Sequence, residues 1–117
     1  MSALKGTIKP TDEISLFFKD AQRTFTDTIM ALQKRKNLKR GTSSRVAYIA
    51  GKKLGSAPER NKLKRWMREA KREVDITLSS YDVIYVARKG IGSSCYKDYL
   101  KDMETINKRI ARLDMSE

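Results

Sequence analysis

The chain has 117 residues, with 26 Lys plus Arg against 14 Asp plus Glu, a formal net charge of +12. That length supports one domain with a modest core, and that charge calls for an anionic partner, nucleic acid first. With no histidine and the single cysteine Cys95, the familiar zinc ligand sets, a histidine-dependent nucleophile and an internal disulfide are excluded.

Taken in order, residues 1–10 read as a flexible arm ending at Pro10, ahead of the rest of a single domain over 1–117. The arm has no apolar stretch of a secretory signal, and no run nears the roughly 18 residues of a membrane span, so the cytoplasm is the expected location. Thr11 or Asp12 can cap a first helix reaching to about Phe25, because Ile14, Phe17, Phe18, Ala21 and Phe25 recur at three- and four-residue spacing. "TIMALQ" reads as a short strand and "KRKNLKRGTSS" as a mobile basic connection. "RVAYIAG" is a second strand. Gly51 and Gly55 bracket "KKL", and Pro58 suits the first turn of the following helix, where its missing N–H costs nothing. "DITLSS" connects to "YDVIYVAR", which reads as a fully apolar strand, central in the sheet. After the turn "KGIGSS", Ser93 or Ser94 can cap a last helix whose stripe is Tyr96, Tyr99, Leu100, Met103, Ile106, Ile110 and Leu113. The order helix, strands, helix, strand, helix predicts an α+β single-domain sandwich.

The helix after Pro58 carries the functional signal. Seven Lys or Arg fall within the thirteen positions from Arg60 to Arg72, yet Leu63, Met67, Ala70 and Val74 keep helical spacing with Trp66 beside them. At about 100° per residue the apolar side chains occupy one arc. Arg60, Lys64, Arg65, Arg68, Lys71, Arg72 and Asn61 occupy the next, while Glu69, Glu73 and Lys62 lie behind. A helix charged only for solubility would intersperse its signs. Here one face builds the fold and another presents cations to an anion. The start of the helix adds unpaired N–H groups, Lys52 and Lys53 arrive just before it, and Gly55, Ser56 and Ala57 would let a phosphate backbone approach. A strand precedes this helix where a helix-turn-helix needs another helix, so RNA is favoured over DNA.

The stretch "KKLGSAPERNKLKRWMRE" resembles the signature of the protein subunit of bacterial ribonuclease P. "EISLFFKDAQRTF", "RVAYIAGKK" and "YDVIYVARKG" resemble the family's first helix, the strand entering the signature and its buried strand. The likeness spans about residues 8 to 110. It implies an α/β sandwich of the ribosomal protein S5 domain 2 type, with a left-handed βαβ crossover. It also implies a protein that binds a catalytic RNA, expected one to one, and helps it remove the 5′ leader of precursor tRNA. Hydrolysis would be by magnesium ions held on the RNA, with no catalytic residue, metal or cofactor of the protein's own. Carried over residue by residue, Lys52, Lys53, Arg60, Asn61, Lys62, Lys64, Arg65 and Arg68 would contact the catalytic RNA. A leader-binding cleft would take in Phe17, Phe18, Leu32 and Tyr48. Leu32 stands where relatives often have tyrosine, and Lys62 where they have arginine, which keeps charge but loses bidentate geometry. The alternatives are a non-catalytic structured-RNA-binding or ribosome-associated protein and, behind it, a nuclease with clustered carboxylates.

Overall fold

The computed structural model describes residues 21–35, 45–76 and 81–115. Four strands, β1 (Gln22–Phe25), β2 (Ile29–Arg35), β3 (Val46–Ile49) and β4 (Tyr81–Ala87), make one sheet in the order β1-β2-β4-β3. Helix α1 (Ala57–Val74) links β3 to β4, which pair in parallel, while the other neighbours run antiparallel. Helix α2 (Tyr96–Met115) follows β4, and short 3₁₀ turns at Lys52–Leu54 and Ile91–Ser93 lead into the helices. β4 is hydrogen-bonded on both edges, which accounts for its near-continuous apolar run.

Pleating divides the strand residues between two faces. Ile29, Ala31, Tyr81, Val83, Tyr85 and Ala87 join Leu63, Met67 and Ala70 of α1 and Tyr99, Met103, Ile106 and Ile110 of α2 in the main core. Each fully buried side chain of Leu or Met size contributes about 1.5–3 kcal/mol. The alternating residues Leu32, Ala47 and Ile84 are buried on the other face, with Ala21, Met30, Ile49 and Val86 around them. One polar pair crosses the main core, where Tyr85 Oη donates to the amide oxygen Oδ1 of Asn107 at 2.7 Å.

The structure departs from the sequence reading in three places. Gln22–Phe25 is a strand and not the end of the first helix. Phe25 fits the helical spacing, but a hairpin pairs it with Met30, and Thr26 Oγ1 closes the turn on the Ile29 carbonyl. Strand pairing therefore wins over a periodicity that one residue shared. Neither Ser93 nor Ser94 caps α2. Ser93 belongs to the 3₁₀ turn and Ser94 Oγ bonds back to the Gly90 carbonyl, so the helix begins from Cys95, whose N–H donates to Asp98 Oδ2. Finally, β4 is not wholly apolar. Asp82 lies buried within it, accepting the Arg45 backbone N–H at 2.8 Å and pairing with the Arg45 guanidinium at 3.2 Å. The arm at 1–10, the helix from Thr11, the basic connection at 36–44 and "TLSS" at 77–80 lie outside the described residues.

Tyrosines set an alkaline limit to this core. Burial pushes Tyr48 and Tyr99 up to about 12 from the ordinary 10.0, and Tyr85 higher still. For an acid held neutral in the fold, stability is complete below the unfolded value. It falls as pH rises from there, because the unfolded chain releases the proton first. Thermal midpoints are expected to hold to about pH 9.5 and then drop steeply between pH 10 and 12, with phenolate absorbance rising together with unfolding. A flat midpoint across that window would contradict the burial of these phenols.

Candidate nucleic-acid interface

Helix α1 is fixed at both ends before any partner arrives. At its start Ser56 and Glu59 form a capping box: the Glu59 carboxylate accepts the Ser56 N–H at 2.8 Å, and Ser56 Oγ accepts the Glu59 N–H. At its end Asp75 takes a left-handed conformation, φ 54°, and returns its N–H to the Lys71 carbonyl. The spacing Ser56-x-x-Glu59 is a sequence signal for such a box, yet the sequence reading treats Ser56 only as a small residue. The consequence is chemical. The capping box engages the Ser56 and Glu59 N–H groups and sets a carboxylate where a phosphate would approach, which favours the side of the helix as the RNA-binding face.

Gly55 belongs to the same device. Its φ is +136°, and a Cβ there would collide with the Glu59 carboxylate. The glycine makes room for the capping box and not, as the sequence suggests, for a nucleic-acid backbone. Gly55→Ala is expected to lower stability by about 1–3 kcal/mol through backbone strain and loss of the cap. Thermal or urea unfolding measures this, and an unchanged midpoint would contradict it.

The cations on the side of α1 form two rows. Arg60, Lys64, Arg68 and Arg72 succeed one another at four-residue intervals, and Asn61 and Arg65 run alongside. Arg60 Nε donates to the Gly55 carbonyl at 3.2 Å, which fixes the stem of its guanidinium at the helix start. Arg68 stands 5.5 Å from the centre of the Tyr48 ring, and that ring stacks on Tyr85 at 5.6 Å and 15°. A plane of charge thus rests on two rings, the lower one hydrogen-bonded into the core at Asn107. Lys52 and Lys53 are exposed in the 3₁₀ turn just ahead of the helix. Lys71 is half-buried, and burial lowers it below the ordinary lysine value while the Asp75 carboxylate draws it back up.

Lys62 is not brought to this surface with the other expected contacts, and the two described residues of the expected leader cleft are not brought together. Lys62 lies about 200° around the helix from Arg60 and stands over Trp66 at 5.7 Å, and Trp66 in turn meets Tyr99 of α2. Lys62 therefore belongs to the α2 side. Leu32 and Tyr48, grouped in one cleft by the sequence reading, project from opposite faces of the sheet: Leu32 is fully buried with Ala47 and Ile84, whereas Tyr48 sits beneath α1. Phe17 and Phe18 lie outside the described residues. Sequence reasoning had no signal for Arg68 resting on Tyr48, since the two belong to different elements twenty residues apart.

The family profile described as ribonuclease P matches residues 5–111. The ribonuclease P protein component of Pseudomonas syringae pv. tomato is 38% identical over 69 residues, 58% of this chain and 52% of that protein. For the component of Fusobacterium nucleatum the figures are 40% over 70 residues, 56% and 63%. The matched stretch thus spans between about half and under two thirds of these curated relatives. Among solved structures, the Staphylococcus aureus RNase P protein superposes with a TM-score of 0.74 at 21% identity, covering 88% of this chain and 93% of that one. The Thermotoga maritima RNase P protein gives 0.59 at 23%, covering 92% and 93%. At such identities these structures speak for the fold.

Proposed function

Since the chain belongs to the ribonuclease P protein family, we propose that it is the protein subunit of a ribonucleoprotein endoribonuclease that removes the 5′ leader from precursor tRNA. The observation that carries this reading is the segregated cationic face of α1, held rigid by its caps and by the Tyr48–Tyr85 stack. It grips the phosphates of a catalytic RNA through Arg60, Asn61, Lys64, Arg65 and Arg68, with Lys52 and Lys53 extending the surface. Screening of phosphate repulsion is what such a protein contributes, and the bond is cut by magnesium ions held on the RNA.

The leader would pass near the sheet face that carries Leu32, with Phe17 and Phe18 offered by sequence resemblance as its stacking partners. Leu32 itself is fully buried and supports the floor. Tyr48 acts instead as the platform for Arg68. The proposed setting is the cytoplasm, with one protein per RNA. Among the described residues no helix is long and apolar enough to cross a membrane.

Titrating a bacterial ribonuclease P RNA with the protein at fixed salt tests the partner. Saturation at one equivalent, with clear preference over an unrelated structured transcript of equal length, is expected. Equal affinity for both transcripts would favour a general RNA-binding protein.

A further inference from the structure

Gly90 has a φ of −81° and a ψ of 177°, a conformation that any residue adopts, so backbone freedom does not explain a glycine at this position. Space does. A Cβ at Gly90 would lie 2.8 Å from the carbonyl oxygen of Leu54, inside van der Waals contact, and the obstacle is backbone with no rotamer to yield. The loop after β4 thus rests directly on the Lys52–Leu54 turn, which leads the exposed Lys52 and Lys53 into the start of α1.

The loop side of this contact is pinned more firmly than the turn side. Ser94 Oγ and the Ser93 N–H both donate to the Gly90 carbonyl, and Tyr99 Oη of α2 donates to the Lys89 carbonyl. Just upstream, the Arg88 N–H donates to the Thr28 carbonyl and Lys89 Nζ pairs with Asp27 at 2.8 Å, which ties the loop to the β1–β2 hairpin. That hairpin is tied in turn to α2, because the Thr28 N–H and hydroxyl both donate to Asp102. The turn rests on the packing of the Leu54 side chain and on two bonds of its own, Leu54 N–H to the Gly51 carbonyl at 3.0 Å and Gly55 N–H to the Lys52 carbonyl at 3.4 Å. A methyl group added at position 90 therefore displaces the turn and not the loop.

We propose that Gly90 is a positioning residue for RNA binding: its missing side chain lets the β4–α2 loop set the Lys52–Leu54 turn where both lysines continue the cationic rows of α1. The proposal rests on the function proposed above. Gly90 acts through Lys52 and Lys53, not by touching the RNA. Charge-assisted hydrogen bonds weaken steeply as geometry departs from the optimum, so a small shift of the turn is enough to be felt.

The test measures affinity for a bacterial ribonuclease P RNA and for an unrelated structured transcript at fixed salt. The proteins are the unaltered chain, Gly90→Ala, Gly92→Ala, and Lys52→Ala/Lys53→Ala with and without Gly90→Ala. Gly92 is the control because, among the described residues, nothing lies within 4 Å of a Cβ added there. Gly90→Ala is expected to weaken binding of the catalytic RNA about fivefold to tenfold, and Gly92→Ala less than about twofold. Without the two lysines, adding Gly90→Ala should cost less than about twofold, while the thermal midpoint falls equally in both backgrounds. A role in the fold alone would lower affinity equally with and without the lysines. That result, or Gly90→Ala binding as well as Gly92→Ala, would overturn the proposal and leave the function standing. An unaltered protein with no preference for the ribonuclease P RNA would overturn both. Should Gly90→Ala fail to fold, Ser94→Ala takes its place, since it frees the Gly90 carbonyl and adds nothing to the contact with Leu54. A loss of about threefold that disappears without the lysines is then expected, and unchanged affinity would overturn the proposal.

Discussion

Alanine at Arg60, Lys64 and Arg68 together is expected to lower affinity for the catalytic RNA by about three orders of magnitude or more and to flatten its salt dependence by about two to three units of slope. Each charge-assisted contact is worth about 1.5–3 kcal/mol, and each neutralised phosphate accounts for about 0.7–0.9 of a unit in log affinity against log salt. The three side chains lie on one row of α1, and the helix interior is formed by Leu63, Met67 and Ala70, which remain in place. The variant should therefore fold, as circular dichroism and a thermal melt would show. Lys97→Ala, which removes one cation from the other helix, should change the slope far less than one third of the triple effect. Equal loss from Lys97 would mean that net charge, and not the α1 row, governs binding.

The second large effect is on stability. Asp82→Ala removes the carboxylate that accepts both the Arg45 backbone N–H and the Arg45 guanidinium. The Asp82 side chain is 5% exposed and that of Arg45 21%, so the arginine would lose this carboxylate from both its guanidinium and its backbone N–H in a partly desolvated site. Breaking such a pair costs about 3 kcal/mol or more. Asp82→Asn, which can still accept the backbone N–H, should lose less. Urea unfolding of both variants measures the difference. The effect reaches the interface because Arg45 leads into β3, which carries Tyr48 and feeds the Lys52–Leu54 turn. Losses within about 0.5 kcal/mol of one another and of zero would show that the pair does not hold this strand.

Periodicity and composition made three of the four strands and both described helices legible. The apolar run of β4 placed it at the centre, and the segregated charge of α1 marked the interface. What remained hidden had physical reasons. Gln22–Phe25 carries both a helical spacing and β-favourable side chains, and only its pairing with Met30 decides between them. Asp82 cannot be recognised as buried until Arg45 is brought beside it from thirty-seven residues away. Tyr48 has the composition of a stacking residue, but whether it faces the leader side or α1 depends on sheet register, which fixes it under Arg68. The capping box, by contrast, was readable as Ser56-x-x-Glu59. That spacing places a carboxylate at the helix N-terminus and so argues against a phosphate there.

The most direct test of the central claim is multiple-turnover cleavage of precursor tRNA by a bacterial ribonuclease P RNA at low magnesium, with and without this protein. The account predicts no cleavage by the protein alone and strong stimulation of the RNA, with cutting at the mature 5′ end. It also predicts that the triple α1 variant restores this activity only at much higher protein concentration. A folded protein that leaves the rate of a cognate RNA unchanged, or cuts precursor tRNA with all RNA subunit removed, would contradict it.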